Sequence, residues 1–277
     1  MLKPLFARFS TLSSSVGRLL RFVLESEHPK RGQIAAAYLR LRVRDALSRR
    51  TERQPRSFSL LGTRMHFGDA RMFSFLFREL FIEESYRGCE QPPDTIVDCG
   101  SNIGMSILLF KSLWPKSRIT GIEASPEMFR FLKENVKQLH GVTVMNKAVS
   151  YRRGQMAFYT NPSSLNSSTN ALRSGGEEIF VEAAPLSDFI AGSVDLLKID
   201  IEGSEMGAFA ELEASGRLPL IRQMFIEYHH HLPGESHRLS SFLERLERGG
   251  FDYELAAALP RRSGGFQDVL IRAKRRA

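Results

Sequence analysis

The chain has 277 residues, of which 42% are hydrophobic and 25% charged, enough for one large domain with an extension. Its two cysteines, Cys89 and Cys99, do not form a CxxC pair, so the sequence supports neither a zinc knuckle nor a disulfide framework. It also lacks an apolar run long enough to predict a transmembrane helix.

The net charge of +8 is concentrated at the N-terminus. Residues 1–56 contain 13 Lys and Arg against 4 Asp and Glu, whereas the remaining residues contain 26 against 27. A protein whose body binds nucleic acid is expected to carry a basic patch on that body. The near-neutral body therefore argues against nucleic acid as a partner.

Two helices are predicted within this basic extension. The first has an apolar stripe with helical spacing, made of Leu5, Phe9, Leu12, Val16, Leu19, Leu20 and Val23. The second runs from Gln33 to about Arg50. The simplest interpretation is that the stripe packs on the body. A basic amphipathic helix is also typical of contact with an anionic membrane surface, here through residues 1–30, and of a transit peptide. We expect a cytoplasmic protein, with any membrane contact being peripheral.

The next segment, residues 57–93, leads into the body. Ser57 to Phe67 alternates like a strand, Phe73 to Phe81 has the composition of a buried helix, and Gln91 to Asp94 is a linker.

From residue 94 to 277, strands and helices alternate. Strands are predicted at Thr95–Cys99, Arg118–Ile122, Val142–Met145, Val194–Asp200 and Gln223–Tyr228. Helices are predicted at Ile103–Leu113, after the Ser125 cap, at Ser204–Ala214 and at Glu235–Arg248, with a loop at Asn161–Gly176 and a hairpin from Tyr253–Leu259 and Gln267–Ala273. This order predicts a doubly wound, mostly parallel α/β sheet.

Ligands bind such sheets where the strands end at their carboxyl side, so Gly100, Glu123, Asp200 and Tyr228 are expected to meet in one crevice. The first strand leads into Asp98-Cys99-Gly100-Ser101-Asn102-Ile103-Gly104, and Glu123 ends the second strand. An acidic residue at that place accepts hydrogen bonds from ribose hydroxyls. The arrangement predicts a cofactor that contains a nucleoside.

The glycine pattern selects between cofactors. A dinucleotide site would need glycine at positions 102 and 105, which are Asn102 and Met105. Asp98 adds a negative charge that disfavours a pyrophosphate and suits the ammonium and sulfonium groups of S-adenosylmethionine (SAM). The carboxylate of SAM would use the helix N-terminus. The loop therefore favours SAM over NAD.

Three segments, Asp94–Leu109, Gly121–Asn135 and Asp195–Glu205, resemble the FkbM family of SAM-dependent methyltransferases. The resemblance covers about residues 57–273 and is most specific in the run Leu197–Glu205. It implies a seven-stranded class I methyltransferase (Rossmann-like) sheet with a reversed final strand, and O-methylation of sugars or natural products. By position, it implies that the methionine part of SAM contacts Asp98, Gly100, Asn102 and Gly104. It also implies that the ribose contacts Glu123 and that the adenine contacts Asn146, Lys147 and Ala148. Ser101 and Ala124 complete the expected cofactor set.

Candidate catalytic residues follow the fourth and fifth strands. Asp200 ends the fourth strand and Glu202 comes two residues later, on the same side as Lys198 if the chain stays extended. His229 ends the fifth strand beside Glu227, and histidine is a natural base at neutral pH. Methyl transfer to a neutral hydroxyl needs a base, so we expect Asp200, Glu202 or His229 to take this role.

Several alternatives remain open from the sequence. Asp200, Glu227 and His229 could together bind a divalent metal, although no compact ligand motif is present and we predict none. The expected acceptor is a hydroxyl of a sugar, glycolipid or other small metabolite. The other interpretations of the whole chain are a nicotinamide-dependent oxidoreductase and a non-catalytic SAM-fold scaffold or membrane-docking protein.

Overall fold

A computed structural model describes residues 16–48, 56–89, 91–160, 176–232, 239–258 and 266–276. The chain divides into two compact units, Met1–Arg87 and Gly88–Ala277. The boundary lies just before the expected linker, so the strand and helix predicted in residues 57–87 belong with the basic extension. Among the described residues, no helix is long and apolar enough to cross a membrane.

The described residues of the first unit form three helices and one hairpin. Helix α1 covers 16–25 and α2 covers Arg31–Ser48, followed by strands β1 (Ser57–Leu60) and β2 (Thr63–His66). Helix α3 (Ala70–Phe77) continues as a π-helical turn over Arg78–Ile82. The prediction of one strand over Ser57–Phe67 is wrong, because the chain reverses at Leu61 and Gly62, which have positive φ angles of 51° and 86°.

The core of this unit is aromatic. Phe67 stacks on Phe73 with ring centroids 4.3 Å apart, and Phe77 stacks on Phe81. The predicted face of α2 is buried, as expected, and consists of Ile34, Ala37, Tyr38 and Leu41. Tyr38 stacks on Phe77, which joins α2 to α3.

Helix α1 differs from its prediction. Phe22, outside the predicted stripe, is the buried apolar residue of this helix. The stripe residues Val16, Leu20 and Val23 are exposed, and so is Leu24. The packing interpretation therefore fails for these side chains, while residues 1–15 lie outside the described part of the chain. The spacing of the stripe was helical, but helical spacing alone does not say which face is covered.

The second unit is built on a seven-stranded sheet with the order β11-β12-β10-β9-β3-β4-β5. Its strands are β3 (Thr95–Cys99), β4 (Arg118–Glu123), β5 (Val142–Asn146), β9 (Val194–Ile199), β10 (Ile221–His230), β11 (Phe251–Ala257) and β12 (Gln267–Arg275). Strand β12 runs antiparallel to both neighbours, whereas the other described pairs are parallel. The reversed strand and the terminal hairpin confirm the expected methyltransferase sheet.

Helices cover both faces of this sheet. They are α4 (Met105–Leu113), α5 (Pro126–Val136), α6 (Glu205–Ala214) and α7 (Leu239–Arg248). Helices α6 and α7 pack on one face through Phe209 and Phe242, in a core that includes Val97 and Cys99. Asp98, between those two residues, points to the other face and contacts Ser106 of α4. The predicted cap of α5 is present, since the Ser125 side chain accepts a hydrogen bond from the N–H of Met128.

A second, three-stranded sheet is absent from the sequence prediction. It consists of β6 (Ala148–Ser150), β7 (Gly154–Thr160) and β8 (Glu177–Pro185) in the order β6-β8-β7. Phe158 and Val181 form its core with Ala148. The loop predicted at Asn161–Gly176 lies almost entirely outside the described residues.

Candidate active site

The loop between β3 and α4 is shaped by close approach to the end of β9. Gly100 has a φ of 81°, and a Cβ there would lie 1.8 Å from the carbonyl oxygen of Asp200. Glycine is needed here both for the backbone conformation and for the contact. Asn102 and Gly104 also have positive φ angles, and α4 begins at Gly104 without a side-chain cap. The first turn of α4, next to this loop, therefore has N–H groups that no side chain caps.

Glu123 supports this loop from the end of β4. Its carboxylate accepts hydrogen bonds from the N–H groups of Asn102 and Ser125, both at 2.8 Å. Burial raises the pKa of Glu123 to about 7, although these two hydrogen bonds act in the opposite direction. A buried carboxylate whose other lone pairs remain available is suited to accept hydrogen bonds from a diol.

The remaining expected cofactor residues gather around Glu123. The Asn146 side chain donates to the carbonyl oxygens of Glu123 and Ala124, and the Lys147 N–H donates to that of Glu123. The Lys147 ammonium binds Glu182, and Ala148 lies in the core of the small sheet. The ends of β4 and β5 thus form one wall.

Ser101 has a supporting position in the loop. Its hydroxyl donates to the carbonyl oxygen of Asp98, and its side chain is almost completely buried. Its N–H donates to the carbonyl oxygen of Ile122. These hydrogen bonds hold the loop against β4.

A buried lysine joins the loop to the end of β9. The Lys198 ammonium lies 3.2 Å from carboxylate oxygens of both Asp98 and Asp200, and it donates to the carbonyl oxygen of Gly100 at 2.7 Å. Asp98 is completely buried and also accepts a hydrogen bond from the Ser106 hydroxyl at 2.6 Å. Burial disfavours the charged amine, but the two carboxylates outweigh it and raise the pKa of Lys198. Lys198 therefore stays charged and pairs with both acids.

Five carboxylates surround the imidazole of His229, which is 4% exposed. Its Nδ1 lies 2.7 Å from Glu205. Its Nε2 lies within 3.3 to 3.9 Å of oxygens from four further acids, namely Glu202, Asp268, Asp200 and Glu227. These five carboxylates are called the acid cluster below. Burial lowers the pKa of His229, but Glu205 and Glu202 outweigh it and raise the pKa well above its usual range. The imidazole is therefore protonated at neutral pH.

Glu202 reaches this cluster by a route that the sequence did not predict. The strand ends at Ile199, and Glu202 and Gly203 have positive φ angles of 57° and 109°. The assumption of an extended chain after Asp200 is therefore wrong. A tight turn instead brings the Glu202 carboxylate to 3.3 Å from His229. Lys198 and Asp200 do share one side, as expected.

Tyr228 does not join the crevice. It lies on the opposite face of β10 from His229 and packs against Phe242 of α7, with ring centroids 4.9 Å apart. Tyr228 lies near the end of β10, as predicted, but alternation along the strand turns its side chain into the core.

Two members of the acid cluster were missed as functional residues. Glu205 is not among the predicted catalytic residues, yet it is 1% exposed and accepts hydrogen bonds from the N–H groups of Ile201 and Gly203. Asp268 lies opposite His229 in the register between β10 and β12. A charged residue in the last predicted strand was the available signal for Asp268.

Comparison with known proteins decides the family. A family model described as the methyltransferase FkbM domain matches residues 98–253. The chain belongs to the FkbM methyltransferase family. The 31-O-demethyl-FK506 methyltransferase FkbM of Streptomyces tacrolimicus is 31% identical over 193 residues, which cover 56% of this chain and 74% of the relative.

Two further proteins are similar to this chain. The 2-O-methyltransferase NoeI of Sinorhizobium fredii is 28% identical over 212 residues, which cover 66% of this chain and 81% of the relative. Among solved structures, the N-terminal domain of EvdMO1 with SAH bound has a TM-score of 0.47 at 14% identity, covering 86% of this chain and 97% of that chain.

Membership of the FkbM family confirms the predicted methyl donor. The cofactor is S-adenosylmethionine, and the protein is a methyltransferase. The nicotinamide-dependent alternative is not supported.

Proposed function

We propose that this FkbM-family protein transfers the methyl group of SAM to a hydroxyl oxygen of a small molecule such as a sugar or glycolipid. The observation that carries the proposal is the acid cluster beside the Gly100 loop. Asp200 contacts Lys198 with one carboxylate oxygen and faces His229 with the other. Two relatives are named as O-methyltransferases, one acting at a 31-O position and one at a 2-O position, which supports oxygen as the acceptor atom.

The loop and its surroundings fit SAM. In this proposal the Glu123 carboxylate accepts hydrogen bonds from the ribose hydroxyls, and its two backbone donors leave lone pairs available for this role. The uncapped N–H groups at the start of α4 suit the carboxylate of the methionine part. Residues 146–148 border the position expected for adenine. SAM supplies the methyl group on a positively charged sulfur, which makes that group electrophilic.

Asp98 acts indirectly in this proposal. Its carboxylate is buried and neutralised by Lys198 and Ser106. It therefore fixes the ammonium of Lys198, which in turn holds the carbonyl oxygen of Gly100. The loop keeps the shape that the cofactor requires.

The acid cluster supplies the proton acceptor. A protonated His229 has no lone pair for the proton of an acceptor hydroxyl. Asp200 and Glu202 are each about one quarter exposed and can receive that hydroxyl as a hydrogen-bond donor. His229 then stabilises the negative charge of both carboxylates. Proton acceptance of this kind contributes typically about 10²–10⁴-fold to the rate.

The direct test is to measure the transfer of labelled methyl from SAM into fractionated cell extracts. The labelled product is then identified. Glu202→Gln should lower kcat by about 10²–10⁴-fold while SAM binding, measured by calorimetry, stays within about threefold. Glu244→Gln, an exposed acid on α7, is the matched control and should change neither value. SAM binding without transfer into any extract would instead favour the scaffold interpretation, and absence of SAM binding would refute the proposal.

We further propose that the first unit contacts an anionic membrane surface. Helix α1 exposes Val16, Leu20 and Leu24 at four-residue intervals, and α2 exposes Leu39, Val43 and Leu47 in the same way. Apolar stripes on a segment with 13 basic residues against 4 acidic ones are suited to anionic lipid headgroups.

Flotation of the full chain with vesicles containing phosphatidylserine tests the membrane proposal. The double variant Leu20→Glu/Leu24→Glu should lose most of the bound fraction, because it places charge at the headgroup–acyl boundary. Phe180→Glu, at an exposed apolar position on β8, is the control and should still float. Equal flotation of both variants would contradict the proposal.

A further inference from the structure

We infer that Asp200, Glu227 and His229 form a binding site for one divalent cation of the Mn²⁺ or Mg²⁺ class. Each residue offers one ligand atom, and these atoms all lie within 4.8 Å of one another. His229 Nε2 lies 3.9 Å from both carboxylates. Metal–ligand bonds of about 2.1 Å separate neighbouring ligands by roughly 3.0 to 3.4 Å, so small side-chain rotations would complete the site.

The orientation of His229 is the second observation that points to a cation. The Glu205 carboxylate holds Nδ1 at 2.7 Å and directs Nε2 into the cluster. Glu205 is itself fixed by the backbone N–H groups of Ile201 and Gly203. A buried imidazole that is held at one nitrogen by a carboxylate and directs the other towards acids is the arrangement of metal-binding histidines.

The distances around Nε2 also favour a cation over a simple hydrogen bond. The nearest oxygen, from Glu202, lies at 3.3 Å, and those of Asp200, Glu227 and Asp268 lie at 3.8 to 3.9 Å. Four carboxylates converge on one nitrogen without any of them coming to a normal hydrogen-bond length. A divalent ion would displace the Nε2 proton of His229 to solvent, so metal binding releases one proton. The ion would then replace the protonated imidazole as the positive charge that offsets the repulsion between these carboxylates.

The donor set selects the class of ion. Carboxylate oxygens and water suit Mg²⁺ and Mn²⁺, and a single imidazole is compatible with Mn²⁺. Asp200 and Glu227 are partly exposed, with side chains 25% and 19% accessible, so the remaining coordination positions face solvent. This part of the inference rests on the proposed function: an acceptor hydroxyl bound at such a position would lose its proton more readily.

Binding of Mn²⁺ to the full-length protein tests the site without any need for methyl transfer. We expect one bound ion per chain by electron paramagnetic resonance, and electron spin echo modulation from one imidazole nitrogen. Glu227→Gln should weaken binding at least tenfold, and His229→Gln should abolish the nitrogen modulation. Glu244→Gln, on the exposed side of α7, should bind Mn²⁺ like the unmodified protein.

SAM affinity of each variant shows that it is folded and separates the cation inference from the proposed function. A protein that binds SAM but no Mn²⁺ at millimolar concentration would overturn the cation site and leave the methyltransferase proposal standing. Equal Mn²⁺ affinity in Glu227→Gln would also overturn it. Mn²⁺ binding in a protein that transfers no methyl group to any acceptor would refute the proposed function alone.

Discussion

Replacement of Lys198 by methionine tests how the buried ion pairs hold the site together. Lys198→Met keeps most of the side-chain volume but removes the charge that faces Asp98 and Asp200 at 3.2 Å. Asp200 is partly exposed and can recover solvent, whereas Asp98 is completely buried. Removing one partner of a buried pair typically costs about 3–5 kcal/mol. Because Asp98 keeps its hydrogen bond from Ser106, we expect the lower end, about 3 kcal/mol.

Urea unfolding followed by circular dichroism measures this loss, and thermal unfolding should show a fall in Tm of roughly 6–12 °C for about 3 kcal/mol. The double variant Asp98→Asn/Lys198→Met removes both charges and should be less destabilised than the sum of the two single variants. A loss below about 1 kcal/mol in Lys198→Met, or simple additivity in the cycle, would refute the argument that Asp98 needs this charge.

Two further predictions concern the cofactor loop. Gly100→Ala should destabilise the protein by more than about 2 kcal/mol and weaken SAM binding, because its Cβ would meet the Asp200 carbonyl oxygen at 1.8 Å. Gly216 also has a positive φ, of 71°, but a Cβ there would meet no atom within 4 Å. Gly216→Ala should therefore cost only the conformational strain of about 1–2 kcal/mol. Equal losses of unfolding free energy in both variants would contradict the steric argument. SAM affinity should fall as the pH drops below about 7, the pKa of Glu123, because protonation turns one accepting oxygen of the carboxylate into a donor and leaves a weaker acceptor for the ribose hydroxyls. Calorimetry between pH 5 and 8 should show a decrease approaching about tenfold per unit that is absent in Glu123→Gln, and an identical pH dependence in that variant would exclude Glu123 as its source.

Much of the large sheet could be predicted because its signals are local. The run Thr95–Cys99 and the Ser125 cap are each visible within a few residues, and the structure confirms both. The hairpin reversal at Leu61 and the sheet containing Phe158 could not be predicted in the same way. Leu61 adopts a positive φ without being glycine. Strands β7 and β8 pair across the intervening stretch 161–176, and neither strand was predicted.

The residues of the candidate site likewise fall into those with a local signal in the sequence and those that depend on tertiary structure. Asp200 follows β9 and His229 lies near the end of β10, and the rule for parallel sheets correctly brings them to one edge. Glu205 and Asp268 depend on tertiary geometry: the first on a turn through two positive-φ residues, the second on the register of an antiparallel strand. A charge within the last predicted strand marks Asp268 locally, but no local pattern shows that it lies opposite His229. The surroundings of His229 therefore could not be derived from the sequence.

The position of Lys198 decides which variant separates binding from chemistry. The two carboxylates that contact its ammonium are Asp98 and Asp200, and the same ammonium holds the carbonyl oxygen of Gly100. Replacing Asp200 therefore removes a candidate proton acceptor and also disturbs the cofactor loop, so kcat and SAM affinity should change together. Glu202→Gln leaves both of those carboxylates in place and alters a group 3.3 Å from His229. A fall in kcat without a fall in SAM affinity is therefore expected for Glu202→Gln and not for Asp200→Asn.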